Sequence, residues 1–100
     1  MGNGGIVMRE STIESRFRQE AKARGGVALK FVSPGCNGVP DRLVLMPNGK
    51  IAFVELKATG KTPRALQLKR KRQIEALGFR VYVVDATEQI GGILDEIQST

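Results

Sequence analysis

Asp41, Glu55 and Lys57 have the residue types and spacing to do chemistry together. Glu55 and Lys57 stand two apart in the run Ile51-Ala-Phe-Val-Glu-Leu-Lys57. On a β-strand they share one face, while Val54 and Leu56 take the other. A buried strand rarely spends two positions on opposite charges without purpose. If Pro47-Asn48-Gly49 closes a hairpin as a three-residue loop, with Pro47 and Asn48 in a type I turn and Gly49 in the left-handed bulge position, paired residues sum to 96. Asp41 then faces Glu55. A two-residue Asn48-Gly49 turn would shift the sum to 97 and turn Asp41 to the other face. Two carboxylates roughly 5 Å apart repel unless a cation lies between them, and such hard oxygens suit Mg²⁺ or Mn²⁺. A neighbouring lysine could orient or help deprotonate a water and stabilise charge developing at phosphorus. The chemistry would be metal-assisted phosphodiester hydrolysis. Without the hairpin, the same residues read more simply as an aspartate at a strand start after Pro40 and an ion pair crossing a sheet edge.

Much other chemistry is excluded by what the chain lacks. It has no histidine and one cysteine, Cys36, so Ser-His-Asp and Cys-His sites, His-based nuclease centres and Cys/His zinc sites cannot form. Cys36 has no histidine to activate it and reads as a loop spacer. Gly60-Lys61-Thr62 imitates the end of a phosphate-binding loop, but position 55, where the first glycine belongs, is glutamate. With no disulfide partner and no N-x-[ST] sequon, the expected location is intracellular, in the cytoplasm. No apolar stretch approaches the roughly 20 residues of a spanning helix, so no membrane partner is expected.

The elements that must position these residues follow from periodicity and punctuation. Ser11-Thr12-Ile13-Glu14 has the pattern of a capping box, and Ile13, Phe17 and Ala21 give an amphipathic helix ending at Gly25-Gly26. Strands are expected over 27–32, 41–46, 51–57 and 79–84, with an irregular loop over 33–40. The two central runs are apolar on both faces, which predicts strands covered by helices on both sides. Thr62-Pro63 predicts a helix start, with Leu66, Lys69/Arg70, Ile74 and Leu77 continuing to Gly78, and a last helix spans 87–98. The order is α-β-β-β-α-β-α, an α/β fold with a mixed central sheet flanked by helices. A chain of 100 residues fits one such domain, expected over 8–100, with residues 1–7 a leader.

Charge is concentrated. Residues 57–72 hold seven basic side chains and no acid, whereas 73–100 hold one base and five acids, within a total of +6. That is the footprint of a polyanion binder, or more plainly a solvated Lys/Arg helix face. Nucleic acid is the partner class this predicts. With one Tyr, four Phe and no Trp there is little surface for stacking unpaired bases, so duplex or branched DNA fits better than single strands.

Gly38-Val39-Pro40-Asp41 followed across a hairpin by Val54-Glu55-Leu56-Lys57 resembles the signature of the PD-(D/E)XK nuclease superfamily. The continuation through Thr59-Gly60-Lys61-Thr62-Pro63, Leu66-Gln67 and Leu77-Gly78-Phe79-Arg80-Val81-Tyr82-Val83-Val84 is similar to its VRR-Nuc branch. The resemblance covers about residues 10–85 and implies a restriction-endonuclease-like core. It implies that Asp41, Glu55 and the Leu56 carbonyl are metal ligands and that Lys57 is the catalytic lysine. Glu14 would reach the metal directly or through water, in competition with a capping role, and Gln67 would organise substrate or water. Arg16, Ser33, Arg64, Lys69 and Arg70 would hold flanking phosphates. Compact members resemble archaeal-type Holliday junction resolvases, which act as homodimers on branched DNA, and stand-alone VRR-Nuc chains are familiar from phages. The expectation is a structure-selective, Mg²⁺- or Mn²⁺-dependent DNA endonuclease. The alternatives are a non-catalytic nucleic-acid-binding module and an RNA endonuclease on the same fold.

Overall fold

The computed structural model describes residues 6–100, so the expected leader lies, for residues 1–5, outside the described residues. The elements are α1 (Glu10–Ala23), β1 (Val27–Lys30), β2 (Arg42–Met46), β3 (Lys50–Leu56), α2 (Ala65–Ala76), β4 (Val81–Val84) and α3 (Ile90–Ser99). They form one four-stranded sheet in the order β1-β2-β3-β4, antiparallel except for the parallel pair β3-β4. The two apolar runs are central, as their composition requires.

Period-two alternation divides the sheet into two unlike faces. Ala28, Val44, Met46, Ala52, Val54, Leu56 and Val84 pack against Ile13, Phe17 and Ala21 of α1 and Ile90, Leu94 and Ile97 of α3. Phe17 is fully buried there, and truncating it to alanine would cost about 3–5 kcal/mol. The opposite face carries Val27, Leu29, Leu43, Leu45, Ile51, Phe53 and Glu55, which the pairings align in rows. Helix α2 covers only one end of it. No residue of α2 is buried, and Leu77 is 73% exposed, so the expected stripe does not face a core. The sheet is flanked by helices as expected, but on this face α2 leaves Val27, Leu29, Leu45, Ile51 and Phe79 exposed.

Three local details also differ. Helix α1 begins at Glu10 after Arg9, whose carbonyl accepts the N–H groups of Thr12 and Ile13, so Ser11 is already inside the helix and makes no cap. Helix α2 begins at Ala65 rather than at Pro63, because Arg64 stays extended and its N–H donates to Gln67 Oε1 at 2.9 Å. In the hairpin, Asn48 as well as Gly49 adopts the left-handed conformation (φ 68° and 74°), in place of a type I turn. Asparagine tolerates that region better than most residues, and the three-residue loop length is kept. The pairs Arg42–Val54 and Leu43–Phe53 therefore sum to 96, as that loop predicts.

Candidate active site

Register and one proline build the site. A sum of 96 places Asp41 opposite Glu55 and Pro40 opposite Leu56, just beyond the last paired residues of β2. Alternation along the antiparallel pair turns the N–H and C=O of Leu56 toward β2, since those of Phe53 and Lys57 face the β4 side, where the two N–H groups donate to the Arg80 and Val84 carbonyls. Pro40 has no N–H to give. The ladder cannot continue, and the Leu56 carbonyl is left without a strand donor. The Leu56 N–H instead donates to Asp41 Oδ2 at 2.8 Å. The proline thus frees a backbone oxygen at the strand end, and the Leu56 N–H ties the aspartate beside it.

Glu55 is 4% exposed, and its Oε1 is buried with no hydrogen-bond partner. Its Oε2 takes two donors, Lys57 Nζ at 3.1 Å and Gln67 Nε2 at 2.5 Å. Gly38, Pro40, Pro63, Val81 and Val83 close over it, with Gln67 and Lys71 beside them. Burial holds the Glu55 carboxyl above the ordinary carboxylate range, and the charge of Asp41 pushes in the same direction against the pull of Lys57. A carboxylate kept dry, with one oxygen orphaned and a second acid at its side, is short of positive charge. The donor set of Asp41, Glu55 and the freed Leu56 carbonyl is all hard oxygen, which fits Mg²⁺ or Mn²⁺.

The structure therefore brings Asp41, Glu55, Leu56, Lys57 and Gln67 together. It does not bring in Glu14, whose Oε2 lies 2.7 Å from the Arg42 guanidinium on the opposite face of the sheet. Among the described residues no cluster of three or more His, Cys, Asp and Glu side chains forms. Of the expected phosphate contacts, Arg64, just before α2, and Lys69, on it, are exposed. Arg70 donates to the Asn37 carbonyl at 2.7 Å, Arg16 pairs with Glu20 at 2.9 Å, and the Ser33 carbonyl accepts the Cys36 N–H. Sequence reading missed what Pro40 does for Leu56, although the sum of 96 already paired them. It also missed Arg42 as the partner of Glu14, a contact between α1 and β2 that no local spacing announces.

No family model matches the chain. It is 50% identical over 82 residues to "Putative nuclease p44" of Acyrthosiphon pisum secondary endosymbiont phage 1, covering 82% of this chain and 88% of that one. A solved structure described as "VRR_NUC domain" superposes with a TM-score of 0.83 at 29% identity, over 89% of this chain and 97% of the other. A mixed sheet that sets two acids and a lysine at the end of its hairpin defines the class of a nuclease domain. The chain belongs to the VRR-Nuc family. Among the described residues no helix is long and apolar enough to cross a membrane.

Proposed function

We propose that this chain is a divalent-metal-dependent endonuclease that hydrolyses phosphodiester bonds in DNA, with branched junctions as its preferred substrate. The observation that carries the reading is the buried, orphaned Glu55 Oε1 beside Asp41 and Lys57. Asp41, Glu55 and the Leu56 carbonyl would hold the metal. Bound there, Mg²⁺ or Mn²⁺ would polarise the scissile phosphate and lower the pKa of a water. Lys57 would orient that water and offset charge on the phosphate oxygens. Gln67 fixes the rotamer of Glu55 while holding the first turn of α2, so the helix carrying Lys69 and Arg70 is registered to the acids.

A homodimer belongs to this reading, because one site per chain cannot cut two strands symmetrically. The open sheet face supports it: Val27, Leu29, Leu45, Ile51 and Phe79, each between 37% and 44% exposed, form an apolar surface on the side that bears Glu55.

The test is cleavage of labelled four-way junction, flap, nicked, linear and single-stranded DNA, with a parallel RNA panel, in Mg²⁺, Mn²⁺, Ca²⁺ or EDTA. Cutting in Mg²⁺ or Mn²⁺ that Lys57→Ala abolishes is expected. Binding without cutting under every metal would favour the non-catalytic module, and preference for RNA would move the substrate class.

A further inference from the structure

A groove of about 710 Å³ runs between α1 and the outer edge of β1, lined by Ser15, Arg18, Gln19, Lys22, the whole of β1 and Arg42. The helix residues recur at i, i+3, i+4 and i+7, a single stripe of α1. No carboxylate lines the groove, and Arg18, Lys22 and Lys30 have no acidic partner among the described residues. Three uncompensated cations therefore face one trough.

The strand edge adds directionality. Phe31 donates its N–H to the Asp41 carbonyl, so Val27, Leu29 and Phe31 turn their backbone groups inward to β2, and Ala28 and Lys30 turn theirs out to the groove. A bare edge of this kind ordinarily invites another strand, which needs donors and acceptors in alternation. Here one of the two outward carbonyls is taken: Arg42 curls over the edge and donates to the Ala28 carbonyl at 3.3 Å, which breaks the alternation a docking strand needs. Arg42 is itself 9% exposed, with its Nε buried and unpartnered. What remains for a ligand is rich in donors, the Ala28 and Lys30 N–H groups with three cations and the Ser15 hydroxyl, against the one outward strand carbonyl of Lys30. Three cations and this excess of donors suit a ligand rich in acceptors, with repeated negative charge.

We propose that this groove binds the phosphodiester backbone of the nucleic acid leading away from the cleavage site. The inference rests on the nuclease reading and adds to it a track on the far edge of the sheet from α2. Substrate would be held from two sides of the molecule, by α2 near the acids and by α1 and β1 along the edge. These contacts set position and reach without reading base sequence.

The experiment compares the wild-type chain with R18Q/K22Q/K30Q by fluorescence anisotropy of labelled duplex DNA in Ca²⁺ over a salt series. Each lost phosphate contact lowers the slope of log affinity against log salt by about 0.9, so the triple variant is expected to lose about 2 to 3. K50Q/R80Q, which removes charge outside the groove, should leave the slope close to that of wild type. Circular dichroism monitors folding, and the single variants Lys22→Gln and Lys30→Gln should each lower the slope by about one should the triple variant not fold. A triple variant whose slope equals that of a wild type that binds and cuts would overturn the groove and leave the nuclease standing. A triple variant that changes from dimer to monomer with its slope intact would assign the groove to a second copy and overturn the proposal. Failure of the wild type to cut any substrate would count against the nuclease reading instead, because the groove is read from the difference in slopes.

Discussion

Asp41 Oδ2 accepts the Leu56 N–H at 2.8 Å, so the aspartate takes over the hydrogen bond that strand β2 would otherwise make to the end of β3. The carboxylate closes the sheet at the point where Pro40 interrupts it, and in doing so fixes its own position beside Glu55. Structure and chemistry can be separated here by choice of substitution. Asp41→Asn keeps an oxygen that can accept the same N–H, whereas Asp41→Ala leaves that N–H without its acceptor. Asp41→Ala should lower stability by about 1–3 kcal/mol and Asp41→Asn by much less, measured by denaturant unfolding. Both should lose cleavage, since neither supplies the anionic oxygen.

Glu55 gives a pH signature with a defined sign. Its folded carboxyl is raised above the ordinary value, first by burial and then by the Asp41 charge. The folded state therefore holds the proton more tightly than the unfolded chain. The resulting stability is fully present below the ordinary carboxylate pKa and is lost as pH rises through the raised one. Without metal the protein should melt lower at pH 7 than near pH 5, and Glu55→Gln should flatten that dependence. A divalent cation needs the ionised form, so stabilisation by Mn²⁺ should grow over the same pH window. Melting curves from pH 5 to 8, with Mn²⁺ or EDTA, test both slopes. Mn²⁺ stabilisation that is flat with pH would remove Glu55 from the ligand set.

The order of elements, the central position of the two apolar strands and the pairing of Asp41 with Glu55 were all legible in the sequence. They depend on period-two alternation and on the length of one loop, both local properties. The conformation of Asn48 was not, because several three-residue turns close a hairpin with the same register. Neither was the start of α2: Thr62-Pro63 is a sound local signal, but the Gln67 side chain bonds the Arg64 N–H from inside the helix and moves the boundary. The bare sheet face escaped for a different reason. Composition shows that a strand is apolar on both sides, but not whether its own chain supplies the cover.

That bare face makes a prediction about assembly. Leu29 and Leu45 are 44% and 37% exposed and lie on adjacent rows of the sheet, away from the acids. If a second copy covers them, Leu29→Lys and Leu45→Lys should each shift the mass by light scattering toward that of one chain, 10.9 kDa. A charge buried at such an interface has no partner, which is costly enough to dissociate a dimer of ordinary size. The far-ultraviolet circular dichroism should not change, because both side chains lie outside the α1/α3 core. Paired incision of a four-way junction should fall with the dimer, while nicking of one strand persists. A wild type already monomeric at working concentration would remove the symmetric-cutting part of the reading.

Glu14 tests how far family resemblance extends in this chain. The resemblance implies a place at or near the metal, while the structure commits its carboxylate to Arg42 at 2.7 Å. Arg42 is 9% exposed and also caps the edge of β1 through the Ala28 carbonyl. Glu14→Gln would leave a largely buried guanidinium without its counter-charge. Because the Glu14 side chain is 36% exposed, water screens part of that cost, which should come to about 1–2 kcal/mol. Glu14→Gln should therefore lower stability while leaving Mn²⁺ affinity, measured by calorimetry on the folded protein, close to that of wild type. Arg42→Met, which removes the charge and keeps apolar volume, should recover part of the stability in the Glu14→Gln background, a coupling that a double-mutant cycle would read directly. A several-fold loss of Mn²⁺ affinity in Glu14→Gln, with no recovery on changing Arg42, would instead place Glu14 in the metal site and make its contact with Arg42 a feature of the metal-free state.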